Sequence, residues 1–267
     1  TIGYPGFDRI ILTSRAPKVG ETAIILDPPG IPHPTPGGCA NNIAVAAARL
    51  GVGAAPLIVV GDDADGQHLT ELLAAEGLET ACVHKVPGGK TAGTFLFVDP
   101  TNSHQTFYYP GAADEPITLN IPERLLDNLR YGVVTVGNPG HTEQFITRMT
   151  EAKVPLVWSL RNDPHAFPLD MVERLTRTCA ILVMNEFEAF QLMDMLDLSG
   201  IEALFEIGVE TVILTLGAHG SRLLQRHQSY DIPVIKPDAI VDPTGAGDAF
   251  VGGLLSGLCL GADEVIA

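Results

Sequence analysis

The stretch Ala180-Ile181-Leu182-Val183-Met184, followed at once by Asn185-Glu186-Phe187-Glu188-Ala189-Phe190-Gln191-Leu192, decides the fold class. The first five residues are all apolar and leave no polar face. A strand of that composition is buried on both sides, as in a parallel sheet covered by helices. From Glu186 onward the apolar positions take helical spacing, and Asn185 with Glu188 three residues on reads as a helix N-cap box. Strand thus gives way to helix with no interval.

The same unit recurs in both directions. Residues 57–60, 133–136, 156–159 and 211–214 are short apolar strand-like runs, and residues 41–50, 65–76, 142–150, 169–177 and 186–196 carry helical spacing. Such alternation predicts an α/β fold: a three-layer α/β/α sandwich with a mostly parallel central sheet. Residues 21–27 and 91–109 break the pattern and read as strands with no helix between them. Asp99-Pro100-Thr101-Asn102 is a turn signal, so residues 94–98 and 105–109 are expected to pair as a hairpin. These strands are expected to form a small separate sheet, either a β lid or a dimerisation surface. The Pro-rich residues 28–36 read as a stiff loop.

Composition narrows the function. Of 267 residues, 46% are hydrophobic, which is enough for one large core. The formal charge is −16 with no Lys/Arg cluster, which argues against nucleic acid and anionic membranes as partners. No apolar run is long enough for a membrane helix, and the first residues lack a signal-peptide layout. Cys39, Cys82, Cys179 and Cys259 are far apart, which suits free thiols in a reducing cytoplasm and not a disulfide framework or a zinc site. A chain this acidic is expected to bind an anionic ligand locally, through backbone N–H groups and a divalent metal.

Two glycine-rich stretches carry no such role. Gly88-Gly89-Lys90-Thr91 ends like a P-loop, but His84 stands where its first glycine belongs, so it reads as a turn into the hairpin. Gly51-Val52-Gly53 follows a helix, where a dinucleotide fingerprint follows a strand, so it reads as a helix C-cap. There is also no G-x-S-x-G elbow.

The chemistry concentrates in Asp242-Pro243-Thr244-Gly245-Ala246-Gly247-Asp248, which runs into the apolar segment Ala249-Phe250-Val251-Gly252-Gly253-Leu254-Leu255. A tight turn before a helix can aim the amides of Gly245, Ala246 and Gly247 at one point, where the helix N-terminus adds positive potential. Asp248 lies beside that anion hole and can take a proton from a hydroxyl while the amides hold a phosphoryl group. An ordinary acidic N-cap in a glycine turn is the simpler alternative.

The string D-P-T-G-A-G-D-A-F resembles the C-terminal signature of the ribokinase, or PfkB, family of carbohydrate and nucleoside kinases. Pro36-Gly37-Gly38-Cys39-Ala40-Asn41-Asn42-Ile43-Ala44 and the residues to Gly51 resemble its N-terminal signature. The resemblance spans nearly the whole chain as a single kinase domain, 1–267, with a β lid from about 21–27 and 91–109. It implies further helices beyond Ala267. It also implies an ATP-dependent transferase that phosphorylates a primary hydroxyl of a sugar or sugar-containing small molecule, with a nucleoside as the alternative acceptor. A nucleotide- or sugar-binding sensor without catalysis is a third reading.

Roles follow residue by residue. Asp248 matches the catalytic base, and Gly245, Ala246 and Gly247 the anion hole. Asp8, Gly38 and Asn42 match substrate-binding positions. Asn185 and Glu188 match the N-x-x-E motif that organises Mg²⁺ through water, a role compatible with the N-cap reading. Thr215, Gly217 and Gly220 match a turn bordering the nucleotide. Asp242 and Thr244 match positions near a monovalent cation, K⁺, in some members. A homodimer through the lid occurs in some relatives. One segment departs: where sugar kinases carry D-x-N-x-R, this chain has Ser159-Leu160-Arg161-Asn162-Asp163, so the pattern is not kept; Arg161 could still reach a phosphate, but the family's role does not carry across to it. Phe107-Tyr108-Tyr109 resembles a stretch of bacterial nucleoside kinases, where it can stack on a base or merely cover the small sheet.

Overall fold

The computed structural model describes residues 1–26, 34–101, 103–239, 244–263, 265 and 267. The chain begins with β1 (Gly6–Leu12), β2 (Thr35–Gly37), α1 (Cys39–Arg49), β3 (Ile58–Gly61), α2 (Ala64–Ala75) and β4 (Val83–Val86). The hairpin β5 (Gly93–Val98) and β6 (His104–Tyr109) follows, then α3 (Glu123–Leu126), β7 (Gly132–Val134), α4 (Pro139–Glu151), β8 (Leu156–Ser159) and α5 (Leu169–Thr178). The last third holds β9 (Cys179–Asn185), α6 (Glu186–Met195), α7 (Glu202–Ile207), β10 (Thr211–Thr215), β11 (Ser221–Gln225), β12 (Gln228–Ile232) and α8 (Ala246–Cys259).

Strands β7 to β10 lie side by side in sequence order and pair in parallel, while β11 and β12 close that edge antiparallel. Full burial of β8 follows from its composition, Leu-Val-Trp-Ser, which offers apolar groups to both faces. Its residues alternate between two cores. Val157 packs with Ile181, Val183, Ile213 and residues of α1 and α8, whereas Leu156 and Trp158 pack with Leu182, Met184 and residues of α4 to α7. That alternation defines three layers, helices on each side of one sheet.

The first residues join this sheet to the separate parallel pair β3–β4. Ile2 bridges Val134 on one side and Leu57 on the other. Beyond Pro5 the same chain enters β1, which belongs to a second, four-stranded sheet of order β2-β1-β5-β6. The predicted hairpin is present in that sheet, with Val98 opposite His104 and Gly93 opposite Tyr109.

Residues 21–27 do not form the strand expected of them. Among the described residues only Ile25 makes a bridge, to Thr13, and Ile24, Ile25 and Leu26 are exposed. The place beside β1 is taken by β2, which pairs with Gly6, Phe7 and Asp8. With that edge occupied, residues 22–26 meet the chain at and just past the end of β1: the Leu26 amide donates to the Leu12 carbonyl, the Ser14 amide to the Ile24 carbonyl, the Ile24 amide to Ser14 Oγ, and Arg15 Nη2 to the Thr22 carbonyl. Asp27 lies outside the described residues. Among the described residues no helix is long and apolar enough to cross a membrane, and the cysteines are free.

Candidate active site

Two helix N-termini meet above the sheet. Helices α1 and α8 run parallel in close contact, because Gly252 has no side chain to separate them: a Cβ there would lie 2.5 Å from the Ala46 Cβ and 2.9 Å from the Ile43 carbonyl oxygen. Neither helix has a side-chain N-cap, in contrast to α2, α4 and α6, which are capped by Asp63, Asn138 and Asn185. Uncapped first-turn amides keep their hydrogen-bonding capacity and their positive potential for a ligand. In α8 these are the amides of Gly245, Ala246, Gly247 and Asp248, with Gly245 in the left-handed conformation at φ 78°. The residues read from the sequence as an anion hole fall at this uncapped N-terminus.

Asp248 lies in the first turn of α8 and is only 3% exposed. Its Oδ2 accepts a 2.8 Å hydrogen bond from Asn42 Nδ2, and its Oδ1 accepts one of 3.0 Å from Arg161 Nη2. The other arm of that guanidinium, Nη1, stands 3.6 Å from Glu188 Oε1. Glu188 in turn closes the capping box of α6: its Oε2 accepts from the Asn185 amide and its own amide donates to Asn185 Oδ1, both at 2.8 Å. Burial pushes the Glu188 carboxyl above the ordinary value, against the Asn185 amide and Arg161, which pull it down. Burial also lowers the proton affinity of Arg161, but the Cys39 thiol and the Asp248 and Glu188 carboxylates outweigh it and hold the guanidinium protonated. The Cys39 thiol is pushed up to about 11, first by burial and then by Asp248.

Gly38 is the N-cap of α1 at φ 98°, where an added Cβ would lie 2.4 Å from the Tyr4 carbonyl oxygen. The adjoining Gly37 lies against the Asp8 carboxylate, since a Cβ on it would lie 2.7 Å from Asp8 Oδ2. Asp8 thus reaches the same corner as Gly38 and Asn42. Strand register sets Asp8, Thr94 and Tyr108 in one row across β1, β5 and β6. The Tyr108 ring is 5.1 Å from that of Tyr4, whose hydroxyl donates a 2.7 Å hydrogen bond to Asp114 Oδ1. Burial, followed by that hydrogen bond and the charge of Asp114, raises the Tyr4 hydroxyl above the ordinary tyrosine value.

Thr215 is paired in register with Asn185 at the ends of parallel strands β10 and β9. Gly217 opens the turn that follows, and Gly220 closes it against the exit of β12. Thr244 precedes the α8 N-cap, while Asp242 lies outside the described residues. Among the described residues there is no cluster of three or more His, Cys, Asp or Glu side chains suited to hold a metal. Glu188 does present Oε1 away from the capping box. One carboxylate with water and phosphate oxygens is a donor set Mg²⁺ accepts, so the residues fit an ion held mainly by the nucleotide. Arg161, which the sequence marked without assigning it a role, lies among these residues, together with Thr94 and Tyr4, which the sequence did not single out. The available signal for Arg161 was its position just past the end of an apolar strand, where open α/β sheets place their ligands.

A parallel α/β sheet carrying two open helix N-termini and a buried carboxylate at the strand ends defines a phosphoryl-transfer enzyme of the ribokinase-like fold. The chain belongs to the pfkB family of carbohydrate kinases, whose sequence profile matches residues 30–265. It is 29% identical over 270 residues to a nucleoside kinase of Methanothermobacter thermautotrophicus, covering 98% of this chain and 82% of that protein. It is also 29% identical over 258 residues to a deoxyribokinase of Salmonella typhimurium, covering 94% of this chain and 82% of that protein. The crystal structure of a nucleoside kinase of Methanocaldococcus jannaschii shares the fold at a TM-score of 0.83 and 24% identity, covering 99% of this chain and 85% of that one. The chain is thus a kinase acting on a hydroxyl group, with ATP as the family's phosphoryl donor.

Proposed function

We propose that this kinase transfers the γ-phosphoryl group of ATP to the primary hydroxyl of a ribofuranosyl compound, and that the compound is a nucleoside. The observation that carries the proposal is the Asn42–Asp248 contact, which puts a buried carboxylate between two uncapped helix N-termini. In this reading Asp248 takes the acceptor proton, and the Gly245–Gly247 amides bind the oxygens of the phosphoryl group as it moves in line from ADP to the acceptor. Asp8 and Asn42 orient the acceptor, with Gly38 allowing it to approach the backbone. Thr215, Gly217 and Gly220 border the nucleotide. Mg²⁺, when bound, neutralises phosphate charge, and Asn185 and Glu188 are the residues that would position its water shell.

The nucleoside is favoured by the Tyr4–Tyr108 pair, an aromatic wall beside Asp8 suited to a base. The likeness to the archaeal nucleoside kinase agrees with this choice. A free pentose or deoxypentose is the second reading, supported by the likeness to the deoxyribokinase. ADP release measured across ribonucleosides, ribose and deoxyribose decides between them. A kcat/KM for one nucleoside at least about tenfold above every sugar is the expected result. The reverse order gives the sugar reading, and tight binding without turnover means a sensor. The exposed apolar residues Ile10, Leu12, Ile24 and Phe107 on and beside the second sheet support pairing of two lids in a homodimer, which sedimentation equilibrium checks.

A further inference from the structure

Arg161 is a charged residue of the cleft with no part in the scheme above. We infer that Arg161 is a phosphoryl-contacting residue, whose guanidinium meets the γ-phosphoryl oxygens of ATP during transfer. The inference rests on the kinase reading.

The geometry supports it in three ways. First, Arg161 spans the site. Its two terminal nitrogens face the base Asp248 at 3.0 Å and Glu188 at 3.6 Å. The transferred group must pass between the acceptor side and the metal side, and that is the interval the guanidinium bridges. Second, Arg161 is the open member of the triad. The side chains of Asp248 and Glu188 are 4% and 8% exposed, whereas that of Arg161 is 35% exposed. A guanidinium has five N–H donors in a planar fork, so donors remain for a ligand entering from solvent. Third, the guanidinium lies over the anion hole: a Cβ on Gly247 would be 3.0 Å from Arg161 Nη2. A cation at a helix N-terminus is electrostatically unfavourable by itself. Two positive elements so placed are useful together when an anion binds between them. In the structure Asp248 supplies that negative charge. In the working complex the γ-phosphoryl oxygens take over contacts with the fork. The acceptor O–H proton passes to Asp248, the acceptor O–P bond forms, and the bond from phosphorus to the ADP oxygen breaks.

The rival explanation is a structural clamp that only neutralises two buried carboxylates. Calorimetric Kd values for Mg·ADP and for the Mg·β,γ-imido analogue of ATP separate the two, measured on the intact protein and on the Arg161→Gln and Arg161→Lys variants. Arg161→Gln is expected to weaken the analogue about tenfold more than ADP, the loss of one charge-assisted contact. The kcat is expected to fall by about 10²–10³, as for removal of an oxyanion donor. Added guanidinium chloride at millimolar concentration should restore part of that rate. Equal weakening of both nucleotides, an unchanged kcat, or a rise confined to the acceptor KM overturns the inference. If Arg161→Gln does not fold, Arg161→Lys decides by the same ratio, since it keeps the charge and loses the fork. Absence of turnover by the unaltered protein on every acceptor would sink the kinase reading instead, and the analogue-to-ADP ratio would still decide whether Arg161 touches the γ-phosphoryl group.

Discussion

At the scale of residues, Asp248 is held from both sides: Asn42 on one oxygen, Arg161 on the other. The carboxylate we propose as the base is therefore held in one orientation by the protein itself. Asp248→Asn keeps the shape and removes the base, so kcat should fall by about 10²–10⁴ while the Kd of the acceptor changes little; single-turnover assays with parallel calorimetry check both. Gly38 at φ 98° has no room for a methyl group against the Tyr4 carbonyl. Gly38→Ala should cost about 1–3 kcal/mol in urea unfolding and raise the acceptor KM. Asp8, Gly38 and Asn42 were assigned only through the family resemblance, whereas the glycine turn before Asp248 was legible as a local string. Arg161 was not, since its meaning depends on a contact 87 residues away. Only the fold brings the end of β8 beside the start of α8.

At the scale of elements, the α1–α8 contact sets the distance between Asn42 and Asp248. Gly252→Val would force the helices apart against backbone atoms of α1. The expected cost is about 1–3 kcal/mol of stability, with a drop in kcat/KM; thermal melts and steady-state kinetics read the two effects. Helix α4 carries a separate pH signature. His141 is buried in its first turn, with Nε2 2.9 Å from the Glu115 carbonyl oxygen, and burial holds its pKa below the ordinary 6.5, outweighing that carbonyl. Below pH 6.5 the unfolded chain thus binds more protons, so stability present at neutral pH is lost as pH falls through the folded value. The slope is at most about 1.4 kcal/mol per pH unit. Melting temperatures from pH 8 to 5 should show that fall, and His141→Gln should flatten it. The buried strands β8, β9 and β10 were legible to within a residue or two, because an all-apolar run has one use in a layered fold. The hairpin β11–β12 was not. Its second strand, Gln-Ser-Tyr-Asp-Ile, is largely exposed and carries no hydrophobic alternation to read.

At the scale of the whole molecule, the proposed scheme has a protein of charge −16 accept an anionic nucleotide through amides, one guanidinium and a metal. The remaining surface repels it. Screening that repulsion should lower the KM for Mg·ATP as ionic strength rises from about 0.01 to 0.15 M at fixed free Mg²⁺, where the Debye length shrinks from about 30 to 8 Å. A KM that rises instead would mean that local attraction by Arg161 controls capture. The three layers were legible from alternation of strands and helices. The join made by Ile2 between β7 and β3 was not, because a single bridging residue leaves no periodic trace. The Asn42–Asp248 contact spans 206 residues of chain. During synthesis the acceptor-binding half emerges long before the base does. In the proposed scheme, a nascent chain that has not yet extended to Asp248 has no base with which to deprotonate an acceptor. The appearance of activity is then a clock for the last long-range step of folding, one that no local spectroscopic probe of α1 or the lid would report.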